Sequence, residues 1–372
     1  MATVLGQRVR EAFDWPLFVT TCAIAVVGVV NLYSATSAAP GPAIADLYIQ
    51  QIYWLALGAS LAVLAAAVDY RHYERFGYVA FGIGLAALML VFLLGRNIRG
   101  SQRWIPIGSF SFQPSEFMKI LLVIALAKYL HNDPRTEGRT LKDLVVPGAI
   151  VAVPIVLILR QPDLGTASIL AFIFASIMLM TRLKLRSLLT IAVVFAASVP
   201  LTWRYLLHDY QKRRFESFLD PCGERVLSGG WHACQSLVAV GSGTWIGKGF
   251  LQGTQNQHGF LPDQHSDFPF AVWAEEHGFF GSMALIALYL FLVLWALKIA
   301  ASAKDRFGAV LSVGMGAIFF WHAFINIGMV TGLLPVVGVT LPLFSYGGSS
   351  VVTVLLAIGL LMNVSMRRYV FQ

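Results

Sequence analysis

Ten apolar runs, most of them near 20 residues long, constrain the fold of this 372-residue chain more than any other feature. A helix of about 20 apolar residues spans the roughly 30 Å hydrocarbon core of a bilayer. The mean hydropathy of +0.71 agrees with a membrane protein. We therefore predict an all-α integral membrane protein of about ten transmembrane helices. The runs cover 15–34, 49–68, 76–95, 116–131, 144–159, 164–181, 187–207, 270–297, 308–330 and 347–366.

The distribution of lysine and arginine orients these spans. Ten spans place both termini on one side, and most of the basic residues fall in the connections on that side, which is typical of cytoplasmic connections. Both termini are therefore predicted to be cytoplasmic, and the net charge of +8 is a topology signal. No nucleic-acid partner is expected, because that function favours a soluble basic face. The chain is predicted to be one polytopic domain, 1–372, with its first span retained.

Polar and turn-forming residues collect in four connections on the outer side. The longest is a loop of about 60 residues between spans seven and eight, 208–269. Short amphipathic helices along the membrane surface are expected there. The other three connections cover 96–119, 160–166 and 332–350. The chemistry of the protein is therefore predicted to face outward.

Several cations lie on this outer side, where the topology rule disfavours them. Each could extend to lipid headgroups. As a set they would also suit an anionic ligand such as a phosphate or pyrophosphate at the membrane surface. They are Arg99, Arg103, Lys119, Arg160, Arg213, Arg214 and Lys248.

Three acidic or basic side chains at the ends of spans have two interpretations. Glu116 and Lys119, three residues apart, share one face of a helix. They form either a mutual ion pair or part of a substrate cavity, since isolated charges at the rim of hydrocarbon are costly. Asp163, in a Pro-Asp-Leu-Gly turn, is either a helix cap or a cavity residue.

The segment LPDQHSDFPFAVWAEEHG, 261–278, is the richest in titratable groups. Asp267 lies just before the eighth span, where partial exclusion of water would favour a carboxylate that acts as a general base. A serine hydrolase is disfavoured, because adjacent His265, Ser266 and Asp267 do not by adjacency form a triad and no Gly-x-Ser-x-Gly turn is present. Of Glu275 and Glu276, one is expected to be buried and the other to lie on a helix face.

Two of the three cysteines, Cys222 and Cys234, fall in the long outer loop. The compartment outside the cytoplasmic membrane is oxidising, so a disulfide between them is predicted. A zinc site with His232 is the alternative, although the ligand spacing matches no familiar pattern.

Four segments resemble the signature segments of the SEDS family, the RodA/FtsW polymerases of the bacterial cell wall. The similarity runs over nearly the whole chain. The GTQ that follows Lys248 and the GMVTGLLPVVGV run look more like the elongation branch than the division branch. The segments are GKGFLQGTQNQHGFLPDQHSDFPFAVWAEE (247–276), FQPSEFMK (112–119), QPDLGTA (161–167) and NIGMVTGLLPVVGVTLPLFSYGGSS (326–350).

The resemblance implies a peptidoglycan glycosyltransferase in the bacterial cytoplasmic membrane, with its site facing outward. It would join lipid II disaccharide units to a nascent glycan strand, with a class B penicillin-binding protein and other elongation proteins as partners. The proposed catalytic aspartate of the family falls on Asp267. Conserved-motif positions of the family fall on Glu116, Lys119 and Asp163, and His265 and Ser266 would position the aspartate.

This chain departs from the family pattern at Ser266, Asp263, Pro269 and Thr244. A hydroxyl and a carboxylate are kept at the first two. Pro269 removes a backbone donor just after Asp267 and is expected to alter the entry to the eighth span. Ser345 and Tyr346 are further candidates for substrate binding.

Undecaprenyl pyrophosphate leaves as a stable anion, so one base and several cations suffice for the reaction. Asp267 would deprotonate the acceptor 4-hydroxyl, with inversion at the donor anomeric carbon. Lys119, Arg103 and Lys248 are the candidates for holding pyrophosphate, and a divalent cation, Mg²⁺ or Mn²⁺, could share this task. The alternatives are a lipid II flippase, which should place polar groups on broken helices at the bilayer midplane, and a scaffold that activates a separate polymerase.

Overall fold

The computed structural model describes residues 13–37, 42–98, 101–108, 110–133, 138–181, 183–201, 204, 212, 217–223, 230–261 and 263–368. Three of the predicted outer cations, Arg99, Arg213 and Arg214, lie outside these residues.

Ten helices in the described part of the chain coincide with the ten predicted spans, which confirms the all-α membrane architecture. Seven helical segments are long and apolar enough to cross a membrane, and α6 is apolar but shorter. The ten are α1 (Trp15–Ser37), α2 (Leu47–Ala67), α3 (Tyr70–Leu94), α4 (Pro114–Asn132), α5 (Val145–Arg160), α6 (Leu164–Leu179), α7 (Leu185–Leu201), α9 (Pro269–Ala301), α10 (Arg306–Val330) and α11 (Gly348–Arg367), and a surface helix, α8 (Trp231–Ser242), precedes α9.

Helix α10 is the centre of the bundle. The apolar windows of α10 and α11 are 78% and 83% buried, against 17% for the peripheral α2, and α10 packs against α4, α6, α9 and α11. Gly314 permits the close approach to α4, because a Cβ there would lie 2.3 Å from Cγ1 of Val123. Small residues at such contacts let two membrane helices pack backbone to backbone. A central α10 can therefore position residues from several helices at once.

The outer connection between α3 and α4 contains a small antiparallel sheet that the hydropathy pattern did not indicate. Its strands are β1 (Arg96–Ile98), β2 (Ser101–Ile107) and β3 (Phe110–Phe112), in the order β1-β2-β3. Ile105 on β2 pairs with Phe112 on β3. The sheet satisfies the backbone groups of a loop that lies at the membrane surface, where unpaired amides are costly.

Helix α9 is broken at Gly278, which has φ +66° and ψ −158°. The freed carbonyls of Glu275 and Glu276 accept hydrogen bonds from the amides of Lys248 and Gly249, each at 3.0 Å. On the other side of the break, the amides of Phe279 and Phe280 donate to the carbonyls of Thr244 and Trp245, at 2.9 and 3.2 Å. The segment 244–249 of the outer loop thus replaces the missing helical hydrogen bonds, so Pro269–His277 forms a short separate half-helix.

We expect Gly278→Ala to lower the thermal unfolding temperature of the detergent-solubilised protein. A Cβ at this position would lie 2.4 Å from the Gly247 amide nitrogen, and this backbone conformation, which essentially only glycine adopts, alone costs an L-residue roughly 1–3 kcal/mol. Gly148→Ala on α5 is the matched control, because no atom lies within 4 Å of its Cβ position. Alanine there should raise helix stability by about 0.5–1 kcal/mol. Equal melting temperatures for the two variants would contradict the packing described here.

Two further contacts fix the part of the long outer loop around α8. The predicted disulfide is present and joins Cys222 to Cys234 on α8, with a Cα–Cα distance of 5.1 Å. The Ser236 hydroxyl on α8 donates to the Val330 carbonyl at the outer end of α10, at 3.1 Å. Helix α8 and the four-residue helix Thr254–Gln257 agree with the short surface helices expected in this loop.

Candidate functional site

Asp267 lies in a tight turn at the outer entrance to α9. The amides of Ser266 and Asp267 both donate to the Asp263 carbonyl, at 3.1 and 3.0 Å. Asp263 has φ +46°, a left-handed conformation that Asp and Asn tolerate better than most residues. The turn therefore depends on the backbone of Asp263 and holds the Asp267 carboxylate in the half-buried layer above α9.

Pro269 does not disturb this turn. It is the first residue of α9, with Phe268 as the N-cap, and a helix needs no amide donor at that position. The Pro269 carbonyl accepts a hydrogen bond from the side-chain amide of buried Asn31, at 3.0 Å. The expected distortion is therefore absent, and the proline instead fixes where the half-helix begins.

The loop between α10 and α11, 331–347, lies against Asp267. Gly338 has φ +72°, and a Cβ there would lie 3.3 Å from Oδ2 of Asp267. The same segment packs on the start of α6, where a Cβ on Gly165 would lie 3.0 Å from the Val337 carbonyl oxygen. Glycine at both positions lets the loop lie between Asp267 and the start of α6. The structure thus places Asp267 and the residue that caps α6, Asp163, on two sides of one short segment.

Asp163 and Arg103 are brought together, and Asp163 is also a helix cap. Its carboxylate accepts hydrogen bonds from the amide and hydroxyl of Thr166, at 3.1 and 2.9 Å. The Arg103 guanidinium on β2 lies 3.5 Å from Oδ1 of Asp163. Arg103 also donates to the carbonyls of Gln161 and Pro162. It therefore fastens the outer sheet to the turn before α6 and remains one-quarter exposed.

Glu116, Lys119 and His322 form a buried polar cluster. Nζ of Lys119 lies 2.8 Å from Oε2 of Glu116 and 2.8 Å from Nε2 of His322. Nδ1 of His322 lies 3.0 Å from the Thr340 carbonyl oxygen. A carbonyl only accepts, so Nδ1 must carry the proton and Nε2 must accept from Lys119. The cluster is a lysine ammonium held between a carboxylate and a neutral imidazole, and both interpretations of the Glu116–Lys119 pair remain compatible with it.

The sequence interpretation did not include His322 or Asn326 among the site residues. Asn326 is fully buried, and its side-chain amide donates to the carbonyls of Asp267 and Val339, at 2.9 and 2.7 Å. Residues four apart share one face of a helix. One face of α10 therefore contacts Lys119 through His322 and the Asp267 turn through Asn326. The sequence did contain a signal for His322 and Asn326, because isolated polar side chains inside an apolar span usually have a function.

Lys248 is bound to protein groups in this structure. Its Nζ lies 2.6 Å from Oε1 of Glu275 and 2.7 Å from the Thr254 hydroxyl. Glu275 and Glu276 are both buried, at 0% and 1% exposure, so the expectation that one of them lies on an open helix face was wrong. Glu276 accepts from the Ser34 hydroxyl. Lys248 thus holds the outer loop on the half-helix, and its predicted contact with pyrophosphate would compete with Glu275.

The remaining predicted residues join the Asp267 turn to the 331–347 loop. The Tyr346 amide donates to the His265 carbonyl at 2.8 Å, and the Tyr346 hydroxyl donates to Gln50 at 2.7 Å. A tyrosine phenol is a protonated donor at neutral pH, and burial raises the pKa of Tyr346 further above that range. The buried Ser345 hydroxyl accepts from the Leu341 amide at 2.8 Å, which identifies it as a loop-shaping group. Ser266 lies within the turn itself.

The described residues contain no group of three or more His, Cys, Asp or Glu side chains placed to hold a metal ion. A resident metal with a full protein ligand set does not fit this site. Mg²⁺ is commonly held by one or two carboxylates together with substrate phosphates, and a binding mode of that kind does not need a group of three protein ligands.

Comparison with known proteins places this architecture among bacterial cell-cycle proteins. The family described as "Cell cycle protein", which groups FtsW, RodA and SpoVE, matches residues 14–370. The chain is 39% identical to the peptidoglycan glycosyltransferase MrdB of Escherichia coli K12, over 86% of this chain and 85% of that protein. It is 31% identical to the peptidoglycan glycosyltransferase RodA of Treponema pallidum, over 97% and 100% of the two chains.

Two solved structures share the fold. One, described as the structural coordination of polymerization and crosslinking by a peptidoglycan synthase complex, has 33% identity and a TM-score of 0.82 over 96% of this chain and 98% of that one. The other, the rod shape determining protein RodA of Thermus thermophilus, has 30% identity and a TM-score of 0.71 over the same shares.

Proposed function

Because this chain belongs to the FtsW/RodA/SpoVE family, we propose that the outer-face site around Asp267 polymerises glycan strands from lipid II. The chain is a peptidoglycan glycosyltransferase of the elongation type, and the assignment of its residues and substrate contacts is our own. The observation that carries the assignment is that one face of α10 holds both a buried ammonium, Lys119, and the turn of a half-buried carboxylate, Asp267.

Asp267 would act as the general base. It would accept the proton of the acceptor 4-hydroxyl while that oxygen attacks the donor anomeric carbon, with inversion there. The bond to undecaprenyl pyrophosphate breaks in the same step, and the electron pair leaves with the pyrophosphate. No second acid is needed, because this leaving group is a stable anion, in contrast to the alkoxide that glycosidases must protonate. One carboxylate in the turn is therefore sufficient.

Lys119 and Arg103 are the cations that we assign to the departing charge. Two partners, Glu116 and His322, contact the Lys119 ammonium, and an ammonium has three donors. Arg103 keeps one-quarter of its side chain exposed while it contacts Asp163. Lys248 remains a weaker candidate because of its contact with Glu275. A divalent cation, Mg²⁺ or Mn²⁺, would supply further charge neutralisation when bound with pyrophosphate.

The protein crosses the membrane several times, and we propose that this membrane is the bacterial cytoplasmic membrane, with the 331–347 loop and the sheet on its outer side. The partner would be a class B penicillin-binding protein that crosslinks the new strands. A related structure, described as a synthase complex that coordinates polymerization and crosslinking, supports this pairing.

The alternative function, a lipid II flippase, predicts broken helices with free polar groups at the bilayer midplane. The break in α9 lies closer to its outer end, at Gly278 of Pro269–Ala301, and the carbonyls freed by it bind amides of the outer loop. These groups are therefore unavailable to a passing headgroup, which favours surface chemistry over passage.

The test uses the purified full-length chain with its transpeptidase partner and labelled lipid II, with and without a chelator. We expect long glycan on gels and release of undecaprenyl pyrophosphate. If chelation lowers the activity and added Mg²⁺ or Mn²⁺ restores it, the result would support a role for a divalent cation. Unchanged activity after chelation would rule that role out. Translocation of lipid II in liposomes without glycan product would overturn the proposed function.

A further inference from the structure

Asn326 is not part of the proposed reaction, but its side chain contacts both the turn that holds Asp267 and the 331–347 loop. It has 0% exposure in the centre of the bundle, and its side-chain nitrogen donates to two carbonyls that belong to different elements. One is the carbonyl of Asp267, at 2.9 Å, and the other is that of Val339 in the 331–347 loop, at 2.7 Å. A carbonyl only accepts, so the NH₂ end of the amide must face both and gives one hydrogen to each.

These two bonds hold two segments that both lie beside the Asp267 carboxylate. One holds the main chain of Asp267. The other holds the residue that follows Gly338, whose Cβ position lies 3.3 Å from Oδ2 of Asp267. The Asn326 side chain therefore ties the main chain of Asp267 to the part of the loop nearest its carboxylate, in addition to the bond from the Tyr346 amide to the His265 carbonyl. The same helix fixes the next carbonyl of the loop, that of Thr340, through His322.

From this geometry we infer that Asn326 is a positioning residue for glycan polymerisation. It touches neither sugar nor pyrophosphate. It fixes the turn of Asp267 against the 331–347 loop, so that the carboxylate stays at a set place relative to Lys119, which the same face of α10 holds through His322. This inference rests on the proposed role of Asp267.

The experiment measures kcat and KM for lipid II with the full-length Asn326→Ala protein. A displaced base should lower kcat by about 100-fold, since misplacement by about 1 Å costs that much, and KM should change little because substrate contacts are retained. Asn326→Asp, which has nearly the same shape, should lose at least as much, because it places an oxygen against two carbonyl oxygens.

Asn363 on α11 provides a matched control. It is also fully buried, and its side-chain nitrogen also donates to two carbonyls, those of Ala65 and Val68. These lie at the inner end of the bundle. Asn363 also accepts a hydrogen bond from the Arg367 guanidinium at 2.9 Å, so Asn363→Ala should lower the melting temperature at least as much as Asn326→Ala does, but leave the kcat of the folded protein unchanged.

A double-mutant cycle separates positioning from general structural damage. If Asn326 acts through Asp267, Asn326→Ala should change the residual rate of Asp267→Asn by less than about threefold. A second full loss in that background, or equal kcat values for Asn326→Ala and Asn363→Ala, would overturn the inference. An active Asp267→Asn protein would instead overturn the proposed function, so the two failures are distinguishable.

Discussion

Asp267→Asn is expected to lower the rate of glycan polymerisation by at least about 100-fold, since general base catalysis contributes roughly 10²–10⁴-fold. The amide has nearly the same shape as the carboxylate but cannot accept the acceptor proton. The main-chain bonds of the turn, from Asp267 to Asp263 and from Asn326 to Asp267, do not use the carboxylate and should persist. The protein should therefore fold, bind lipid II and fail in the chemical step, as measured by kcat on labelled lipid II.

Asp263→Asn in the same turn is the control. Asn tolerates the left-handed φ of +46° at this position, and the carbonyl that accepts the turn bonds is unchanged. This variant should keep most of the wild-type rate. If both variants lost activity equally, the turn as a structure would be responsible, and the assignment of Asp267 as the base would be contradicted.

Lys119→Met is expected to have the largest effect on stability. Lys119 is 1% exposed and contacts the buried Glu116 carboxylate. Removal of one partner of a buried ion pair typically costs roughly 3–5 kcal/mol, because the other charge is left unpaired. The melting temperature in detergent should fall sharply. Lys184→Met is the matched control, because Lys184 is exposed at the inner surface and its loss should leave the melting temperature near the wild-type value.

The double variant Glu116→Gln/Lys119→Met separates the two interpretations of the pair. Removal of both charges also removes the unpaired carboxylate, so stability should recover in large part. Polymerisation should remain lost, because the departing pyrophosphate lacks its buried cation. A stable double variant with normal kcat would show that the pair only orients α4.

The membrane spans were the most predictable part of the fold. Their length and composition are set by the thickness of the bilayer, so each of the ten apolar runs can be recognised without knowledge of its neighbours. The same count of spans predicts that Asp267, Asp163 and Arg103 lie on the outer side of the membrane. The disulfide of Cys222 and Cys234 was predictable because two cysteines shared one loop in an oxidising compartment.

Contacts between distant segments were less predictable. The break of α9 at Gly278 depends on amides from 244–249, more than twenty-five residues earlier in the chain, and an apolar run does not reveal such a partner. Lys248 was interpreted as a ligand for pyrophosphate because it is a cation on the outer side. The buried Glu275 that binds it lies in a different element. Pattern alone cannot pair side chains across a bundle.

The sequence by itself determined the membrane class and the number of spans, because hydrophobic length is a local property, and its short motifs led to the proposal of Asp267 as the central acid. Only the tertiary structure decided which groups surround that acid. Asn326 and His322 lie in an apolar span and approach Asp267 and Lys119 only because α10 packs at the centre of the bundle. Hydrogen bonds act over about 3 Å, so their partners are defined by packing and not by position along the chain.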